Sequence, residues 1–311
     1  MIKYLFLQII FMMIIFQNKG LSQQITPNCT QYWYNQCIIA TIENDTPQFN
    51  LSILHLDKYP LENPEQLSTI AHLMLKFGRI DEAFSRLKLA FEKGYDNLEL
   101  PRFKKYDHQW SVFERNYPII KQKLEANAKT DIKVRLDKML QSDQYIRDLR
   151  DKYPQDSALY TSQQSADTTN FLELKKIISD YGYPKYNAIG SKCMDNLNTL
   201  LLHFVMYEDF WSYLNPILTL EMKNNRLTPE FYAKLLDRRQ VWVKNENQLY
   251  GTFNSSEDIK DGIFSPIFEI NSIDLRRTNL GLMPLKYYAI QRRLKLPNAY
   301  VFEKYTLRNC N

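Results

Sequence analysis

The side chains with chemistry to offer in this sequence are one histidine, several carboxylates, a set of arginines and a hydroxyl-bearing tripeptide. His203 closes the apolar run 200–204. A histidine's ordinary pKa of about 6.5 keeps both protonation states within reach near neutral pH, so His203 has the chemistry of a general acid or base, with Asp237 or Asp143 to orient it. Its plain alternative is a buried imidazole bonded to a neighbouring carbonyl or carboxylate. Asp237-Arg238, Asp274 with Arg276-Arg277, and Arg147 set carboxylates beside guanidiniums. A guanidinium fork matches a carboxylate or phosphate, so converging arginines form an anion pocket. Ion pairs between helices are the competing use, with Asp274 capping its own helix. Tyr250-Gly251-Thr252 adds two hydroxyls around a glycine that permits close backbone approach, or else marks a β-bulge. No G-x-S-x-G elbow, phosphate-binding glycine loop, C-x-x-C or H-E-x-x-H occurs, so neither a metal nor a cofactor is expected.

Helical periodicity dominates the segments that must hold these groups. Val134, Leu136, Met139, Leu140 and Ile146 recur at helical spacing over 131–152, which stops ahead of Pro154. A polar loop is expected at 155–166. Asp167-Thr168-Thr169 then offers N-cap chemistry to a helix showing Phe171, Leu174, Ile177 and Tyr181 on one face, ended by Gly182 and Pro184. Further helices are expected near 195–206 and 209–224, the second kinked at Pro216, and another opens at Thr228-Pro229 in the favoured order of cap and first turn. Two β-compatible runs, 248–253 and 263–270, read as one small hairpin. Helices resume at Asp274 and Pro284.

Upstream, 23–60 has no clear period and reads as an irregular lead with one short helix. Ala71, Met74, Gly78, Ala83, Leu87 and Ala90 are spaced to pack two antiparallel helices turning at Gly78, which resembles a single tetratricopeptide repeat. A solenoid needs three or more such units, so this pair must bury its apolar face elsewhere, and two further helices across 98–128 are the expected cover. The fold class is therefore mainly α: a tetratricopeptide-like helical region at 23–128, a helical domain with one small β-hairpin at 129–295, and a tail at 296–311.

Met1-Ile2-Lys3 followed by an apolar stretch at 4–16 fits a signal peptide over 1–22 cut before Gln23, since the stretch falls short of the roughly 20 residues of a spanning helix. An exported product, periplasmic or secreted, with no stable membrane anchor after cleavage is expected. Of 40 basic and 35 acidic residues, Lys3 and Lys19 leave with the leader, and with no long basic tract nucleic acid is not an expected partner. Cys29, Cys37, Cys193 and Cys310 allow three fully paired arrangements. Cys29 with Cys37 is the first choice and requires that segment to loop or bend, because eight residues of helix separate them by about 12 Å. Free thiols packed in the interior are the alternative.

Several ordered motifs over 136–288 resemble domain-of-unknown-function family 6624. They run from Asp143-Gln144 and Arg147 through Asp167, Asn170, Tyr181-Gly182-Tyr183-Pro184, Gly190 and His203. They continue with Leu236-Asp237-Arg238, Gln248-Leu249-Tyr250-Gly251-Thr252, and Asp274 with Arg276-Arg277 before Gly281-Leu282. The resemblance adds Gln144 and Gln248 to the candidate ligand-binding set of Arg147, Arg238, Tyr250, Thr252, Asp274, Arg276 and Arg277. It also implies a Gram-negative bacterial source. Two positions depart from the family's habit: Val205 replaces an acidic residue after the histidine, and Phe253 a glutamine after the Gly-Thr pair. The expected function is a binding or interaction module with a polar His/Asp/Arg cleft for a protein partner or small anionic ligand. An enzyme acting on an anionic substrate and a structural envelope component are the alternatives. All three turn on whether residues from Asp143 to Arg277 meet around one hollow.

Overall fold

The expected signal peptide lies outside the residues that the computed structural model describes, which are 29–59, 61–302 and 310. Among these the protein is mainly helical, with thirteen α-helices. The first, α1 (Cys29–Glu43), sends Trp33, Cys37 and Ala40 into one core and Ile38 and Ile39 into another. A helix buried on all sides carries no amphipathic stripe, so its sequence shows no period. That is why 23–60, expected as irregular, holds both α1 and α2 (Thr46–Leu56). Asp45 caps α2, accepting from Gln48 N at 2.9 Å, and Pro47 follows in the first turn.

Helices α3 (Pro64–Lys76) and α4 (Ile80–Glu92) form the expected pair turning at Gly78. Leu67, Ile70, Ala71, Met74, Ala83 and Leu87 join Trp33 and Phe49 in one core. The two helices expected across 98–128 are one, α5 (Asp107–Asn127), which closes this core with Phe113 and Ile120. A second core lies among α6 (Thr130–Lys152), α7 (Ser157–Tyr181), α8 (Tyr186–Phe204), α9 (Glu208–Lys223) and α10 (Pro229–Trp242). Thr228 caps α10 as expected, accepting from Phe231 N at 3.2 Å. The loop expected at 155–166 is instead the first half of α7. Asp156 rather than Asp167 caps it, accepting from Ala158 N at 2.9 Å, and the polar run is that helix's solvent face.

The two cores are joined at a close backbone crossing. A Cβ on Gly94 would lie 2.3 Å from the Tyr186 carbonyl oxygen, and one on Gly190 would lie 2.5 Å from Asp96 Oδ2. Gly190 kinks α8 at φ 79°, and Ser191 N donates to Gly94 O at 3.0 Å. Beyond α10 come the short α11 (Ser256–Asp261), α12 (Ile273–Leu280) and α13 (Leu285–Arg292). Met283, Leu285 and Tyr288 pack on Ile38 and Ile39 of α1 in a third core.

The expected β-hairpin is absent among the described residues. Gln248 and Ile267 form an isolated parallel bridge, whereas a hairpin pairs antiparallel strands. Side chains take the hydrogen-bonding groups that a ladder needs: the backbone N–H groups of Leu249, Tyr250 and Thr252 donate to the Asp237 carboxylate.

The Cys29–Cys37 pairing is also overturned. Cys29 bonds to Cys310 with S–S 2.11 Å, since Cys29 and Cys37 share the continuous helix α1 and stand too far apart along it. Trp33 Nε1 donates to the Cys310 carbonyl at 2.9 Å, fixing the far end of the chain to α1. Cys37 and Cys193 are free and buried. Alkylation of denatured, unreduced protein should therefore label Cys37 and Cys193 only, and peptide mapping should recover a Cys29–Cys310 cross-link. A Cys29–Cys37 peptide would contradict this. Reduction should lower stability by about 2–5 kcal/mol in urea unfolding.

Candidate functional site

The sequence-predicted residues gather at two places rather than one. The first lies where α6, α7 and α8 meet. Asp143, wholly buried on the inner face of α6, accepts from His203 Nδ1 at 2.9 Å, from Arg147 Nε at 3.1 Å and from Gln144 Nε2 at 2.7 Å. An ionised carboxylate only accepts, so His203 carries its hydrogen on Nδ1. The Arg147 fork reaches on to Asp167 of α7 at 2.7 Å, and Asp167 also accepts from Tyr207 OH at 2.7 Å. Burial pushes the Asp143 carboxyl up, but the hydrogen bonds and charges of His203 and Arg147 outweigh it and hold the group below the ordinary carboxylate range. The His203 side chain is 13% exposed.

The second place is built on α10, α12 and the 248–253 segment. Asp237, also wholly buried, accepts from Leu249 N at 2.7 Å, Tyr250 N at 2.9 Å, Thr252 N at 2.8 Å and Thr252 Oγ1 at 2.6 Å. Gln248 bridges Ser265 O at 2.7 Å and Phe253 N at 3.0 Å. Arg276 donates to the carbonyl oxygens of Leu249, Phe268 and Glu269, and Arg277 to those of Met283 and Tyr250. Asp274 accepts from Leu285 N at 2.8 Å and Tyr300 OH at 2.6 Å. These side chains hold backbone to backbone. Asp237 thus does not orient His203, and Arg276 and Arg277 do not form an anion pocket.

Arg238 behaves otherwise. Its guanidinium lies over the Trp242 ring at 3.9 Å and the Phe253 ring at 5.7 Å, and its Nε is buried with no hydrogen-bond partner among the described residues. Burial, then the nearby Arg147 charge, pulls its pKa down to about 10. It lines a cleft of about 470 Å³ with Lys234, Thr252, Asn254, Tyr288 and Arg292. Partial burial and the charges of Arg292 and Arg238 also lower the Lys234 ammonium. The cleft's carboxylate, Glu230, is paired with Arg292 at 2.6 Å.

A family model described as a family of unknown function (DUF6624) matches residues 130–302, more than half of the chain. The chain belongs to this family. No curated protein and no solved structure matches it. The DUF6624 region opens at α6 and extends past α13, so it takes in the Asp143 cluster, the Asp237 nest and the Arg238 cleft. Within it sequence reasoning missed Lys234 and Arg292 as cleft residues. Lys234 stands four residues before Arg238, a spacing that puts both on one face of a helix and that the sequence displays. Arg292 carried no such signal, because the turn after α12 brings it in. Phe253 supplies a ring to Arg238 and Trp242, and Val205, wholly buried, accepts from Arg239 through its carbonyl at 2.7 Å.

Because Asp143 is held below its unfolded pKa, its ionisation contributes stability that is fully present above the ordinary carboxylate range and is lost as pH falls through the folded value. Asp143→Asn should cost about 3 kcal/mol at neutral pH by breaking a buried pair. Its acid-denaturation limb should also be shallower than that of wild type below about pH 4. Superimposable limbs would remove Asp143 from this role.

Proposed function

We propose that this protein is an exported binding protein whose DUF6624 region holds a small anionic ligand in the cleft of Lys234, Arg238 and Arg292. Arg238 carries this reading. A guanidinium taken out of water is costly unless an acceptor meets it, and here aromatic faces meet it while the buried Nε is left over. Three cations against one carboxylate leave the lining positive, as a phosphate or carboxylate ligand requires. The alternative of catalysis by His203 is less favoured, because the imidazole turns onto Asp143 and does not line this cleft. A purely structural envelope role gives no use for a largely buried guanidinium that pairs with no carboxylate among the described residues.

Export is supported by the cationic and apolar start of the chain and by the Cys29–Cys310 bond, which persists in oxidising compartments. The α3 and α4 pair, read as tetratricopeptide-like, steadies the DUF6624 region through the Gly94 crossing.

The anion reading is tested with inorganic pyrophosphate and citrate, titrated at constant ionic strength and followed by thermal shift and calorimetry. Arg238→Met keeps the stem packed against Trp242 and removes the charge. It should leave the ligand-free protein as stable as wild type or up to about 2 kcal/mol more so, while weakening anion binding at least tenfold. Undiminished binding, or no saturable binding to wild type by either anion, would defeat the proposal. For export, N-terminal sequencing of the mature protein should begin at Gln23, and an intact Met1 end would contradict it.

A further inference from the structure

A larger cavity of about 560 Å³ opens between α1 and α3 on one side and the DUF6624 region on the other. It shares Glu230, Tyr288 and Arg292 with the anion cleft, yet its chemistry is of the opposite sign. We propose that this cavity binds a protonated amine. Glu65 on α3 and Asp195 on α8 both line it. The charges acting on these two carboxyls are other carboxylates: Asp195 and Asp96 raise Glu65, and Asp96 raises Asp195, in each case behind burial as the larger cause. Neither has a cationic partner among the described residues. Asn198, three residues after Asp195, lines the same space, and its Oδ1 is buried with no hydrogen-bond partner among the described residues. Two carboxylates and one unpaired amide oxygen from two separate parts of the fold therefore border one space, with the Ser191 hydroxyl donating to Glu65 and no cation paired with either carboxylate among the described residues.

The cations of the lining are engaged elsewhere. Arg277 donates to Met283 O and Tyr250 O, and Arg292 pairs with Glu230. The opposite wall is fixed by a chain of buried amides: Gln66 Nε2 donates to Gln31 Oε1 at 2.8 Å, Gln31 Nε2 to Asn35 Oδ1 at 3.0 Å, and Asn35 Nδ2 to Gly281 O at 2.9 Å. This chain joins α3, α1 and the turn after α12, so the cavity exists before any ligand arrives. Tyr34 and Tyr186 also line the space, and aromatic rings attract an ammonium group beyond its pairing with carboxylates, whereas the Tyr288 ring already carries Arg277 at 4.8 Å and Arg292 at 5.5 Å. The volume suits a ligand of metabolite size rather than a bare ion.

The test titrates 1,4-diaminobutane and, as its uncharged counterpart, 1,4-butanediol into the full mature chain by calorimetry. The diamine should bind wild type saturably and the diol should not. Glu65→Gln and Asp195→Asn, each checked for native circular dichroism, should weaken the diamine at least tenfold. Asn198→Asp adds a carboxylate and should tighten it about threefold or more, which guards against a loss caused by misfolding alone. Arg238→Met should leave diamine binding unchanged, separating failure here from failure of the anion cleft. Equal binding of diol and diamine would make the cavity a polyol site and overturn the proposal. No diamine binding, or binding indifferent to all three acceptor variants, would overturn it as well.

Discussion

The Asp237 carboxylate is the constraint on which the C-terminal half of the molecule depends. It stands wholly buried on α10 and satisfies three backbone N–H groups and one hydroxyl of the segment that follows. Burial pushes its pKa up and those four hydrogen bonds oppose the rise. With its N–H groups turned onto one carboxylate, the 249–252 segment cannot enter a ladder, and its carbonyl oxygens are left to be met from outside. Arg276 and Arg277 of α12 meet them at Leu249 and Tyr250, and Asp274 of the same helix then takes the first N–H of α13. One buried acid thus sets the path of the chain from α10 to α13 without a sheet.

Neighbouring residues on α10 face different surroundings because each step along a helix turns by about 100°. Asp237 faces the nest. Arg239 turns to the α8–α9 junction, donating to Val205 O and pairing with Glu208. Arg238, between them, points to neither and rests on Trp242 and Phe253. Arg135 also leaves one buried guanidinium nitrogen unpaired, but its Nε is paired with Glu173, whereas Arg238 pairs with no carboxylate among the described residues, and that marks a different use.

Most of the helices were legible because they are amphipathic and punctuated: Thr228-Pro229 opens α10, and Ala71 through Ala90 spell the α3 and α4 pair. What escaped did so for physical reasons. Helix α1 is buried on all sides, and the first half of α7 is polar because it faces solvent along a helix already begun at Asp156. The hairpin was misread because β-propensity reports half-buried extended backbone, while a ladder also needs free N–H groups, and Asp237 had taken them. Of the site, sequence supplied His203, Asp143 and Arg147 together, yet it joined them to Asp237 and Arg276, which serve backbone. Adjacent charges in a sequence do not disclose which will face a carbonyl and which a cleft.

The Glu230–Arg292 pair is the wall common to both cavities, and its physics differs from that of the nest. Its side chains are 42% and 57% exposed, so solvent screens it and its net contribution is about 1 kcal/mol or less. A pair this weak yields to a competing charge at small cost, whereas the Asp237 nest does not, because opening it would orphan buried N–H groups. An anion bound at the proposed Arg238 cleft would compete with Glu230 for Arg292, and the carboxylate so released would add to the acceptors bordering the proposed amine cavity. The rigid nest therefore fixes the backbone around the two cavities, and the soft pair is the element through which the two proposed sites would be coupled.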